Sequence, residues 1–224
     1  SYLGALNAFN AYQPNFVEVP TDNGGLIPEE LDKILSTTPN CKFIYVIPDF
    51  QNPTGRTWSM ERRQKFMEVV NKHNLPVLED NPYGELRYEG TILPSLKSMD
   101  TKGLVMFLGT FSKIFCPGLR LGWIAAEHSL LSEFVKIKQS ADLHTSNFDQ
   151  GVADAYMEQY DLDAHVKEIV ALYKHRRDLI LESMEKYFPA GTEWTHPEGG
   201  LFLWLTFPEG VSARKVFNKC IEMK

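Results

Sequence analysis

The sequence predicts an α/β fold: three layers, α/β/α, on a mainly parallel sheet, followed by the start of a small α+β C-terminal domain. Three observations carry this. Short apolar runs alternate with longer amphipathic ones through the first half of the chain, the pattern of βαβ units. Beyond residue 128 the texture turns helical. Near the end a single period-2 aromatic run, GGLFLWLTFPEG (199–210), precedes one amphipathic stretch, and such a pair cannot bury its own faces.

The expected strands are FVEV (16–19), KFIYVIP (42–48), PVLED (76–80), LVMFLGTFS (104–112) and LGWIAA (121–126). All are short, β-branched or aromatic, and bounded by turn residues. Between them IPEELDKILS opens with proline and acids in its first turn, and SMERRQKFMEVVNKHN starts at a capping serine, Ser59, with Phe66, Val69 and Val70 on one face. Further helices are expected over about 129–141, 147–158 and 162–187, then over SARKVFNKCIEMK. We place residues 1–161 in a large domain, and 162–224 in a linking helix and an incomplete small domain.

Composition narrows the function classes. Charged residues at 23% and a net charge of −6 describe a globular protein without the concentrated basic charge of a nucleic-acid surface. No apolar run approaches a membrane span. Cys41, Cys116 and Cys220 are odd in number and widely spaced, so they form neither a disulfide framework nor a CxxC metal pair. A reducing cytoplasm is the expected location. The histidines show no metal-ligand spacing.

In an open parallel sheet, ligands bind at the carboxyl ends of the strands. The polar residues there are Asn52 after FIYVIP, Asp80 and Tyr83 after PVLE, and Thr110, Ser112 and Lys113 after LVMFLG. Arg120 follows in the next turn. Lysine seldom enters such a place without amine chemistry, through a lowered pKa and Schiff-base formation. With a carboxylate, hydroxyls and an arginine nearby, the set suits pyridoxal 5'-phosphate, whose aldehyde needs an amine and whose ring nitrogen needs an acid.

The segments NPTG (52–55), DNPY (80–83), TFSK (110–113) and PGLRLGW (117–123), with GGLIP and PEGGLFLW flanking them, resemble the ordered motifs of fold-type I, class I/II aminotransferases. The resemblance is nearest to the branch of aromatic and 2-aminoadipate aminotransferases and MocR-type regulators, and it covers nearly the whole chain. It implies an enzyme transferring an amino group between an amino acid and a 2-oxo acid. Lys113 would form the Schiff base and shuttle the proton, and Asp80 would pair with the pyridine nitrogen. Asn52 and Tyr83 would bond the ring's phenolate oxygen, while Ser112, Arg120 and Thr110 would hold the phosphate. Pro53 and Gly55 would shape the turn presenting Asn52, and Gly118 the turn returning Arg120.

The resemblance also implies a homodimer, and it implies segments before Ser1 and after Lys224 that complete the phosphate pocket and grip the substrate carboxylate. We therefore expect this chain to be a fragment, poorly active by itself. Two other functions stay open. One is the effector-sensing domain of a MocR-type transcriptional regulator, with an upstream winged helix that binds DNA; the other is a pyridoxal-phosphate-dependent C–S lyase. The substrate amino acid is not legible in these residues.

Overall fold

A computed structural model describes residues 1–223. The chain opens with helix α1 (Leu3–Asn10) and a hairpin of β1 (Thr21–Asp22) and β2 (Gly25–Leu26). Then come α2 (Pro28–Thr37), β3 (Ile44–Val46), α3 (Met60–His73), β4 (Val77–Asp80), β5 (Val105–Thr110) and β6 (Gly122–Ala125). Helices α4 (His128–Asp142), α5 (Asn147–Gln159) and α6 (Leu162–Tyr187) follow, then β7 (Glu193–Trp194), β8 (Leu205–Thr206) and α7 (Ala213–Glu222). No helix of the described residues is long and apolar enough to cross a membrane.

Local chemistry explains the helix ends. Ser59 Oγ accepts from Arg62 N at 3.2 Å at the start of α3, and Asn74 closes that helix in the left-handed region at φ 51°. Asp161 accepts from the amides of Asp163 and Ala164 to start α6. In α2, proline opens the helix and Glu29 and Glu30 complement its positive end.

The main sheet runs β3-β4-β5-β6. The first three strands are parallel and β6 returns antiparallel. Alternation sends Ile44, Val46, Val77 and Val105 to one face, where Leu31 of α2 and Phe66, Met67 and Val70 of α3 cover them. Tyr45 lies on the other face, against Phe9 of α1 at 5.6 Å between ring centroids. A second apolar cluster at the strand ends joins Phe50, Tyr83 and Leu86 to Ile114, to Phe202, and to Ile169, Val170 and Tyr173 of α6.

Two expectations fail. Residues 16–19 form no strand: the stretch has no ladder partner, and Phe16 and Val17 are about half exposed. The run 199–210 keeps only Leu205–Thr206 as strand, paired with β7, because Gly199 and Gly200 are committed to packing on Phe50. Helix α1 and the hairpin at 21–26 were not anticipated.

Two buried charges brace the loops beyond the strands. The fully buried Arg63 of α3 donates to Asp49 Oδ1 at 2.7 Å and to the carbonyls of Trp58 and Pro94. Glu79 of β4 accepts from the amides of Leu96 and Lys97, both at 2.8 Å. Truncation of Arg63 to alanine leaves the buried Asp49 with only its longer contact to Arg87, at 3.6 Å. We expect the unfolding free energy to fall by about 3–5 kcal/mol, measured by urea denaturation. An unchanged midpoint would show the pair to be dispensable.

Burial pushes the Glu79 carboxyl up from 4.5 to about 6, outweighing its two amide donors. The folded state thus binds this proton more tightly than the unfolded chain does. The resulting stability is complete below pH 4.5 and is lost as pH rises through about 6. The loss is about 2 kcal/mol, and Glu79→Gln should flatten that part of the urea-measured stability profile.

Candidate active site

Three successive strand ends supply the candidate residues, and the register decides which face each occupies. In β4, Val77 and Glu79 point to the α2/α3 face, so Leu78 and Asp80 point to the other, together with Tyr45 of β3. Asp80 pairs with Leu108 of β5, and Thr110 stands two residues further along the same face. Asp80 is half-buried. Its Oδ2 accepts from the Tyr45 hydroxyl at 2.5 Å. Burial pushes the carboxyl above its ordinary value, and the Tyr45 bond opposes that shift.

Tyr83 follows in the turn after β4 and is 5% exposed, with the Phe202 ring edge-on at 5.6 Å. Burial raises its hydroxyl, the Asn52 side chain opposes this by hydrogen bonding to it, and the Asp80 charge adds to the rise. Asn52, Asp80 and Tyr83 therefore form one electrostatic group, although each comes from a different turn or strand end. The Asn52–Pro53 bond is cis. The turn closes through Gly55 N on Gln51 O at 2.7 Å, and the Gln51 side chain caps Thr54. Gly55 has φ +70°, and an added Cβ would stand 2.5 Å from the Phe202 carbonyl oxygen.

The second group gathers on the turn between β5 and β6. Leu121 O accepts from both Phe111 N at 3.1 Å and Thr110 Oγ1 at 3.2 Å, while Thr110 Oγ1 accepts from Ser112 N at 3.1 Å. One carbonyl thus ties the lysine-bearing turn to the arginine-bearing one. Lys113 is half-buried and, among the described residues, bonds to no protein acceptor. Arg120 is exposed, and its guanidinium reaches only Pro117 O, at 3.0 Å. Ile114, next to the lysine, packs into the Phe50–Tyr83–Leu86 cluster and so joins the two groups.

Gly118 does not shape this turn as expected. It lies in a short 3-10 turn, Pro117–Leu119, with no positive φ, and Arg120 itself takes the left-handed conformation at φ 56°, ψ 36°. Sequence reasoning also missed Tyr45, which reads as one more aromatic in a buried strand. Its signal is its register: three residues into the FIYVI run, it shares a face with Asp80 on the neighbouring parallel strand.

The family model described as aminotransferase class I and II matches residues 1–224. Aromatic-amino-acid aminotransferase 1 of Thermococcus litoralis is 43% identical over 99% of this chain and 54% of its own length. The crystal structure of Pyrococcus horikoshii kynurenine aminotransferase, in complex with PMP, superposes with a TM-score of 0.94 at 41% identity, covering 99% of this chain and 56% of that one. A Bacillus subtilis protein named as the HTH-type transcriptional regulator YisV is 30% identical over 99% of this chain and 46% of its own. The chain spans about half the length of the curated relatives it matches.

The contrast between two glycines tests the local geometry. Gly55→Ala should lower the unfolding free energy by more than about 1 kcal/mol, since it adds left-handed strain to a backbone clash. Gly118→Ala, whose nearest neighbour is Cys116 Sγ at 3.8 Å, should stay within about 0.5 kcal/mol of wild type in the same chemical denaturation.

Proposed function

This chain belongs to the class I and II aminotransferases, and on that premise we propose that the whole protein moves an amino group from an amino acid to a 2-oxo acid with pyridoxal 5'-phosphate. One observation carries the reading. A half-buried carboxylate, an amide–phenol pair, and a lysine and an arginine without protein counter-charges all lie at one end of the sheet. The donor set fits the cofactor, and the complex of the P. horikoshii relative with PMP supports the match.

Pyridoxal phosphate, when bound, supplies an aldehyde that condenses with amines and a ring that takes up the electron pair of a breaking Cα–H bond. The chain's residues do the rest. Asp80 holds a proton at the ring nitrogen, and Asn52 and Tyr83 donate to the ring's phenolic oxygen. Thr110, Ser112 and Arg120 hold the phosphate, the arginine through its planar fork of donors. Lys113 would be the amine that holds the cofactor through its aldehyde, and the base that would carry a proton at the substrate's Cα.

An aromatic amino acid is the first donor substrate to test, on the strength of the T. litoralis relative. We take residues 1–161 as the large-domain portion and 162–224 as the linking helix with the beginning of a small domain. Two copies would pair, a reading supported by the exposed Tyr12 and Phe148. The cytoplasm fits three free thiols. A second reading, the effector domain of a transcriptional regulator, draws on the YisV similarity. A basic helix-turn-helix preceding Ser1 in the whole protein would favour it.

Borohydride reduction of the full-length protein loaded with pyridoxal phosphate should fix the cofactor to the peptide containing Lys113, as read by mass spectrometry. Lys113→Ala should escape labelling and lose roughly 10²–10⁴-fold in amino transfer to a 2-oxo acid. Labelling at another lysine would overturn the assignment.

A further inference from the structure

We propose that Tyr45 is the positioning residue of Asp80: its hydroxyl holds Oδ2, fixes the carboxylate, and leaves Oδ1 as the oxygen turned to the ring nitrogen. This rests on the reading of Asp80 as the acid that faces the cofactor. The geometry points to it in three ways. The bond is short, 2.5 Å, as expected of a hydroxyl donating to an ionised carboxylate. No other protein group hydrogen-bonds the Asp80 side chain among the described residues. The phenol is itself held, because the parallel register pairs Tyr45 with Leu78 and Phe9 stands edge-on to its ring, braced in turn by Phe43 at 5.0 Å.

The choice of a phenol has an electrostatic consequence. Asp80 loses solvation at the strand end, and burial favours its neutral form. A neutral acid cannot keep a proton on a pyridine nitrogen by charge pairing. An arginine in place of Tyr45 would restore ionisation but would cancel the negative charge that the ring needs. Tyr45 donates one strong bond and brings no charge, so it favours the ionised form of Asp80 without cancelling its field. The group facing it is otherwise neutral: Tyr83 from the following turn, with Tyr2 ahead of α1 close enough to influence both Tyr45 and Tyr83. Burial and the Asp80 charge push the Tyr45 hydroxyl far up, so it remains a donor at any working pH.

The test uses the full-length protein, cofactor-free, with carbon-13 in its aspartate carboxyls and Asp80→Asn to assign the resonance. In Tyr45→Phe, which keeps the ring against Phe9, Asp80 should titrate at higher pH than in wild type. The pyridoxal phosphate dissociation constant should rise about tenfold while the thermal midpoint stays unchanged. A 3-fluorotyrosine at position 45, a better donor of the same shape, should move the Asp80 titration the opposite way. An Asp80 that titrates alike in wild type and Tyr45→Phe overturns the inference. Unaltered cofactor affinity in Asp80→Asn overturns instead the reading of Asp80 on which it rests, and the two failures are separately visible.

Discussion

Side-chain alternation along β4 is the constraint on which the site depends. Four residues, Val77 to Asp80, carry two acids in succession, and the pleat sends them to opposite faces. Glu79 turns toward the α2/α3 side and holds the loop at Leu96 and Lys97; Asp80 turns toward Tyr45 on the opposite face. A slip of one residue would exchange them, burying the wrong acid in each place. The register is held from both sides, by β3 along Val77–Glu79 and by β5 along Val77–Asp80. Apolar packing of Val77 and Val105 against α3 makes the slipped alternative costly.

The antiparallel return of β6 is a second consequence of the same sheet end. A parallel neighbour would carry the chain away from the site after Lys113, whereas β6 brings it back at once and sets Gly122 opposite Thr110. Leu121 O then serves both sides of the turn. The left-handed backbone falls on Arg120, a non-glycine residue, at a cost of about 1–2 kcal/mol.

Much of this was legible because the chemistry sits where short apolar runs stop. NPTG, DNPY and TFSK stand out as polar residues directly after FIYVIP, PVLE and LVMFLG, and the sheet order then brings Asn52, Asp80 and Thr110 to one end. What was not legible depends on partners in space. FVEV has strand-like residues but no neighbour to pair with, and pairing rather than propensity makes a strand. The hairpin at 21–26 did leave a cue, the Asn23–Gly24 pair between its two strands, with Asp22 accepting from Gly24 N at 2.7 Å. Tyr45 gave none in composition. Only the register between β3 and β4 shows that its hydroxyl meets a carboxylate.

The C-terminal third also belongs to the site's scaffold, and glycines are the reason. Gly199 and Gly200 lie so close to Phe50 that an added Cβ would come within 2.3 Å and 2.4 Å of its side chain, and Gly55 is as tightly set against Phe202 O. These approaches lock the 197–202 segment to both sides of the Asn52 turn. Arg177 of α6 fastens the same segment by donating to Pro197 O at 2.7 Å while pairing with Glu89 and Asp178. Tyr88 donates to Gly200 O, and Phe202 packs on Tyr83. Close packing of this kind transmits displacement instead of absorbing it. The surroundings of Tyr83 and of the Asn52 turn are therefore built in part by α6, a helix that begins only at Leu162.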